Sequence, residues 1–172
     1  MRPRHLFLLS CCLLAAPTFA KQVFTGQTAN GAHWRIEAPD DWQAGDPLVL
    51  YQHGFNFDAS LSDPSLGPLR DLQLAEGYAI AATSFSQRGW AVFTAIDDNR
   101  ELLDLVRQSL GEPGEIVPFG GSLGGLLALK VAEHPDFRDK VKGVYALCPA
   151  AAGSRVWDAA IDLRLAYDVI CA

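Results

Sequence analysis

One hydroxyl stands out by its surroundings. The stretch Pro118 to Gly125, PFGGSLGG, surrounds Ser122 with residues of minimal side chain, and Gly120, Ser122 and Gly124 spell G-x-S-x-G. An apolar run, EIVPFG, precedes the serine, and a helical pattern, LGGLLALKVAEH, follows it. A serine on a sharp strand-to-helix turn has a strained backbone, and side chains two residues either side would clash there. Glycines at those positions remove the clashes and hold the hydroxyl up at the carboxyl edge of a sheet, where it can attack a carbonyl carbon. The backbone N–H of Leu123, at the helix start, can then point at the oxyanion that forms, assisted by the helix dipole. Glycine-rich turns before helices also cradle phosphates. This one lacks the lysine of a phosphate-binding loop and the spacing of a dinucleotide fingerprint.

A second stretch belongs to the same chemistry. YQHGFN ends a short apolar run at His53-Gly54. A loop leaving a strand at that edge can supply a second oxyanion donor, the N–H of Phe55. His53 is read as bracing this loop by hydrogen bonds rather than as a catalytic base. Phe55, Phe57, Phe85 and Trp90 would suit an apolar or aromatic acyl group, or serve ordinary core packing. Arg88 would bind a carboxylate or face solvent.

The elements that must position these residues follow from periodicity. QVFTGQTANGAHWRIEAP holds two alternating runs around Asn30-Gly31, a hairpin signal. PLVLYQHG is a buried strand, FNFDASLSDPSLGP a loop, and LRDLQLAEG a short helix with Leu69, Leu72 and Leu74 on one side and Gly77 as its stop. YAIAATSF is a strand, and DDNRELLDLVRQSLG an amphipathic helix with acids at its start and Gly111 at its end. GEIVPFG, SLGGLLALKVAEHP and VKGVYALCPA continue as strand, helix and strand, and RVWDAAIDLRLAYDVICA is helical in pattern. Short apolar strands linked by helices predict an α/β fold: an antiparallel hairpin, then parallel strands with helices on both faces.

The HGF loop, the GGSLGG elbow and their order resemble the α/β-hydrolase superfamily over roughly residues 22 to 150. TSFSQRGWAV further resembles secreted members with esterase or peptidase activity. The resemblance implies that Ser122 is a nucleophile, that the Phe55 and Leu123 N–H groups form an oxyanion hole, and that His53, Gly54, Gly120 and Gly124 support the loop and elbow. It implies a small-molecule ester or peptide substrate, an ester ahead of a peptide bond, and no cofactor.

The superfamily's order of serine, acid, histidine is incomplete here. After residue 20 the histidines are His33, His53 and His134. His33 reads as a surface residue of the hairpin, and His134 as a partner of the carboxyl end of the helix after the elbow. Asp158, Asp162 and Asp168 read as a solvated helix face. Three readings stay open. The chain is the amino-terminal part of a secreted serine hydrolase whose acid and histidine lie outside it, with the sheet cut after a sixth strand and residues 153–172 starting a cap or connecting helix. Alternatively it is a non-catalytic binding protein, or an inactive truncated product.

The first twenty residues are a different material. MRPRH is a basic start, LFLLSCCLLAA an apolar core too short to span a bilayer, and PTFA offers small residues before a cleavage site. Export to the periplasm or outside, with Lys21 as the first mature residue, is expected ahead of an uncleaved anchor or a lipid on Cys11. The 172 residues carry a formal charge of −6. Loss of Arg2 and Arg4 leaves 12 basic against 20 acidic residues, a balance of −8. Basic residues are spread rather than clustered, so no nucleic-acid footprint is visible, and no second long apolar run predicts a membrane span. Cys148 and Cys171 would remain, as a disulfide adding roughly 3 kcal/mol, as two buried thiols, or paired with a cysteine outside this sequence. No cysteine or histidine spacing suits a zinc site.

Overall fold

The computed structural model describes residues 21–56 and 63–151. Phe57, Cys171, the expected leader through Ala20 and the expected helix over residues 153–172, with Asp158, Asp162 and Asp168, lie outside them. The elements are β1 (Lys21–Gln27), β2 (His33–Pro39), β3 (Leu48–Gln52), α1 (Arg70–Ala75), β4 (Ala79–Thr83), α2 (Ala95–Ser109), β5 (Ile116–Gly121), α3 (Leu123–Glu133) and β6 (Tyr145–Leu147). They build one six-stranded sheet in the order β1-β2-β4-β3-β5-β6. The β1–β2 hairpin is antiparallel in register Lys21 to Pro39, and β2 pairs antiparallel with β4. From β4 through β3 and β5 to β6 the strands are parallel. The expected hairpin, strand–helix alternation and mixed sheet are all present.

The topology decides which face each helix covers. The step from β3 to β4 runs one way along the sheet, and the steps from β4 to β5 and from β5 to β6 run the other way. Right-handed crossovers therefore place α1 on one face and α2 with α3 on the opposite one. Side-chain alternation in the strands follows. Leu48 and Leu50 of β3 join Leu102, Leu103 and Val106 of α2 and Val131 of α3 in one core. Val49 of β3 and Ile80 and Ala82 of β4 join Leu74 of α1 in the other. A third cluster, Phe85, Ala91, Ala95, Leu123 and Leu127, seals the carboxyl end beneath the elbow.

The two faces are covered unequally. The helix α2 has 15 residues and α3 has 11, whereas α1 has six. The sequence pattern puts Leu69, Leu72 and Leu74 on one side, of which only Leu74 is buried; Leu69 is 36% and Leu72 59% exposed. Six residues make under two turns, too few to press three leucines onto a sheet. Leu69, Leu72 and Tyr78 instead rim an open groove of about 320 Å³ floored by Val117 and Phe119 and bounded by Tyr145. At its β2 end this face is closed by charge. Glu37 is fully buried and its carboxylate meets Arg70 of α1, Arg35 and Lys21. No helix among the described residues is long and apolar enough to cross a membrane.

Candidate functional site

Ser122 stands between β5 and α3 with φ 56° and ψ −121°, a conformation that costs a non-glycine residue about 1–3 kcal/mol. Three backbone hydrogen bonds hold it there. Its N–H donates to Leu147 O at 2.9 Å, and its carbonyl accepts from Leu126 N at 3.2 Å and Ala150 N at 3.1 Å. The end of β6 and the segment after it thus grip both sides of the serine peptide. Ser122 is exposed, and its hydroxyl makes no capping bond to α3. Leu123 opens α3, so its N–H belongs to the first turn and has no acceptor within the helix.

The flanking glycines are required by space. A Cβ on Gly120 would fall 2.5 Å from the Gln52 carbonyl oxygen, and one on Gly124 2.0 Å from the same atom. A Cβ on Gly125 would come within 3.1 Å of Leu147 O and Pro149. Gly54 differs: a Cβ there would sit an ordinary 3.6 Å from Gly121 O. That contact also shows that the His53–Phe55 loop lies directly beside the elbow.

His53 bonds its own loop. Its Nδ1 lies 2.6 Å from Gly54 O, and because a carbonyl only accepts, Nδ1 carries the proton. Nε2 is buried without a hydrogen-bond partner among the described residues. The ring packs 4.5 Å from that of Phe85, tilted by 43°. His134 caps the far end of α3. It takes the Asp136 N–H on Nδ1 at 3.3 Å and faces Arg100 through Nε2 at 3.5 Å. The eleven-residue helix between them keeps His134 about 18 Å along its axis from Ser122. His33 is not a free surface residue: its backbone pairs with Ser84 in both directions and its Nδ1 lies 3.9 Å from Asp63. No histidine of the described residues bonds to the Ser122 hydroxyl.

The aromatics separate. Phe85 is fully buried, with φ 59°, and belongs to the core under the elbow rather than to a substrate surface. Trp90 is half-buried against the same cluster, and Phe55 is 45% exposed. Arg88 faces solvent. Cys148 lies in the grip after β6, exposed and with φ 41°. No group of three or more metal-ligating side chains gathers among the described residues.

Two polar devices behind the site escape a motif search. Gln52 and Asn99 are both fully buried and exchange amide hydrogen bonds of 2.8 and 2.9 Å. Asp98, 3% exposed, accepts from Ser86 N and Oγ at 3.1 Å and from Asn30 Nδ2 at 3.3 Å. From the first turn of α2 it ties the hairpin turn to the loop after β4. Asn99 does carry a sequence signal, since it falls on the buried stripe with Leu102, Leu103 and Val106.

Comparison with known proteins places this geometry in a wider class. No protein-family model matches the chain. The o-phthalyl amidase of Xanthobacter agilis is 30% identical over 136 residues, which take in 77% of this chain and 27% of that protein. Among solved structures, an esterase of Pyrobaculum calidifontis superposes with a TM-score of 0.51 at 23% identity, over 78% of this chain and 46% of its own. Brefeldin A esterase, described as a bacterial homologue of human hormone-sensitive lipase, gives 0.50 at 22% identity, over 79% and 42%. The described residues adopt the α/β-hydrolase fold and fit its amino-terminal portion. The chain spans about a quarter of the amidase and under half of either esterase.

Proposed function

We propose that the chain carries the nucleophile and oxyanion hole of a serine hydrolase acting on ester or amide bonds of small molecules. The observation that carries this reading is Ser122 itself: an exposed hydroxyl on a strained strand-to-helix turn, gripped on both sides of its peptide at the amino end of α3. The amidase and esterase names of the similar proteins support the reaction class. In the proposed reaction Ser122 Oγ bonds to the carbonyl carbon as its proton passes to a general base. The carbonyl electron pair moves onto oxygen, facing the Leu123 and Phe55 N–H groups. Collapse expels the alcohol or amine, which takes the proton, and water then cleaves the acyl-enzyme by the same steps. The histidine and acid of this scheme come from outside the described residues. Cleavage after Ala20, export and a Cys148–Cys171 bridge belong to the same proposal.

A fluorophosphonate probe tests it. In the complete polypeptide that contains these residues, the probe should attach to Ser122, and Ser122→Ala should abolish labelling and reduce ester hydrolysis by several orders of magnitude. Labelling at another residue, or turnover that survives Ser122→Ala, would overturn the reading. Residues 21–172 alone are expected to label weakly, because a serine without its base keeps its proton.

A further inference from the structure

We infer that Gln52 and Asn99 are positioning residues that set the spacing between the elbow and the His53–Phe55 loop, an inference that rests on Ser122 being the nucleophile. Strand β3 runs Leu48, Leu50, Gln52 along the face toward α2, and a third leucine would continue the core. The chain instead buries an amide. Burying a polar pair offers little stability over apolar groups of the same shape, because each amide gives up water to make its bonds. What the pair does supply is direction. Gln52 Nε2 donates to Asn99 Oδ1, Asn99 Nδ2 donates to Gln52 Oε1, and Asn99 Nδ2 also reaches Ala95 O at 2.7 Å. These bonds fix the last residue of β3 against the first turns of α2.

Both halves of the oxyanion hole rest on that residue. Its carbonyl oxygen lies in the space that side chains at Gly120 and Gly124 would need, so the elbow is seated on Gln52 without a gap. The His53 carbonyl, next along, also abuts Gly124, at 2.8 Å from a Cβ placed there. The loop that offers the Phe55 N–H starts at His53. A shift of Gln52 therefore moves the loop and the seat of Ser122 and Leu123 relative to each other. Displacements below 1 Å in such a site are enough to slow the chemistry.

The test uses the complete polypeptide and a fluorophosphonate, resolving the limiting rate of Ser122 modification, kinact, from the binding constant, KI. In a Gln52→Leu, Asn99→Leu double variant kinact should fall by about 10- to 100-fold while KI stays within about threefold. Exchanging the partners, Gln52→Asn with Asn99→Gln, should recover most of the rate. A merely structural role would lower the urea midpoint and leave kinact of the folded protein unchanged. That result, or an exchange variant no faster than the double leucine, would overturn the inference. If the double leucine does not fold, Gln52→Met carries the same expectation, since it keeps the volume and removes the amide. Failure of the unsubstituted protein to label at Ser122 would retire the nucleophile reading, and the inference with it. Normal labelling with unchanged variants would retire the pair alone.

Discussion

The two faces of the sheet use different physics. On the α2/α3 face, long helices press leucine and valine onto β2, β3, β4 and β5, and Leu102, Val106 and Val131 are at most 1% exposed. On the α1 face a six-residue helix is pinned by the Arg70–Glu37 contact, and beyond it Leu72 and Tyr145 stand at least half in solvent. Strands β3, β4 and β5 are apolar on both sides. The contrast teaches that helix length, set by where Gly77 and Gly111 stop α1 and α2, decides how much of a strand's apolar potential becomes burial. The residues behind Ser122, Gln52 and Asn99 among them, lie on the well-packed side.

The contrast can be broken by substitution. Leu102→Ala should have the largest effect, costing about 2–5 kcal/mol because it opens a cavity under α2. Urea denaturation measures it, and a cost below 1 kcal/mol would mean that this face repacks freely. Glu37→Gln comes next, at about 1–3 kcal/mol. It removes the charge that three cations share, although their partial exposure lets water compensate in part. Loss confined to α1, seen as faster amide exchange there while α2 stays protected, would sharpen the division. Leu72→Ala should cost within about 0.5 kcal/mol, as an exposed side chain does. A cost matching Leu102→Ala would show that something covers the groove.

The smallest expected effect is electrostatic. Hydrogen bonds from Arg107 and Lys140 hold the Glu112 carboxyl below its usual 4.5. A carboxyl lowered in the folded state stabilises above its unfolded value and loses that contribution as pH falls through the folded one. Glu112→Gln should therefore cost a few tenths of a kcal/mol near neutral pH, as exposed pairs do, and nothing once acid has protonated the native residue. A cost independent of pH would assign the effect to packing.

Much of this architecture was legible in the sequence, and the residues say why. Asn30-Gly31, Gly77 and Gly111 mark a hairpin and two helix ends through backbone freedom, which is a local property. The spacing of Gly120 and Gly124 around Ser122 was legible because the clash it avoids recurs wherever a strand turns sharply into a helix. For Leu69 and Leu72 only the side was legible, because a periodic stripe reports which residues share a side and not whether anything covers it. For Phe85 the sequence left a substrate surface and core packing both open, and its ring, turned inward at positive φ, takes the second. Gln52 and Asn99 interact 47 positions apart, and Asp98 reaches Asn30 across 68, so no window around any of them contains its partner. Asn99 alone was within reach, as the polar residue on an apolar stripe.

The grip on Ser122 has a consequence for how the protein is made. Leu147 and Ala150, which hold the serine peptide, lie well downstream of it in the chain. A nascent chain that has reached Lys140 already contains the whole G-x-S-x-G motif and the helix behind it. It does not yet contain the strand that fixes the motif's torsion angles. During synthesis two of the three backbone bonds at Ser122, from its N–H to Leu147 O and from Ala150 N to its carbonyl, can form only once residues 147 and 150 have been added. The third, from Leu126 N, is the one its own helix supplies.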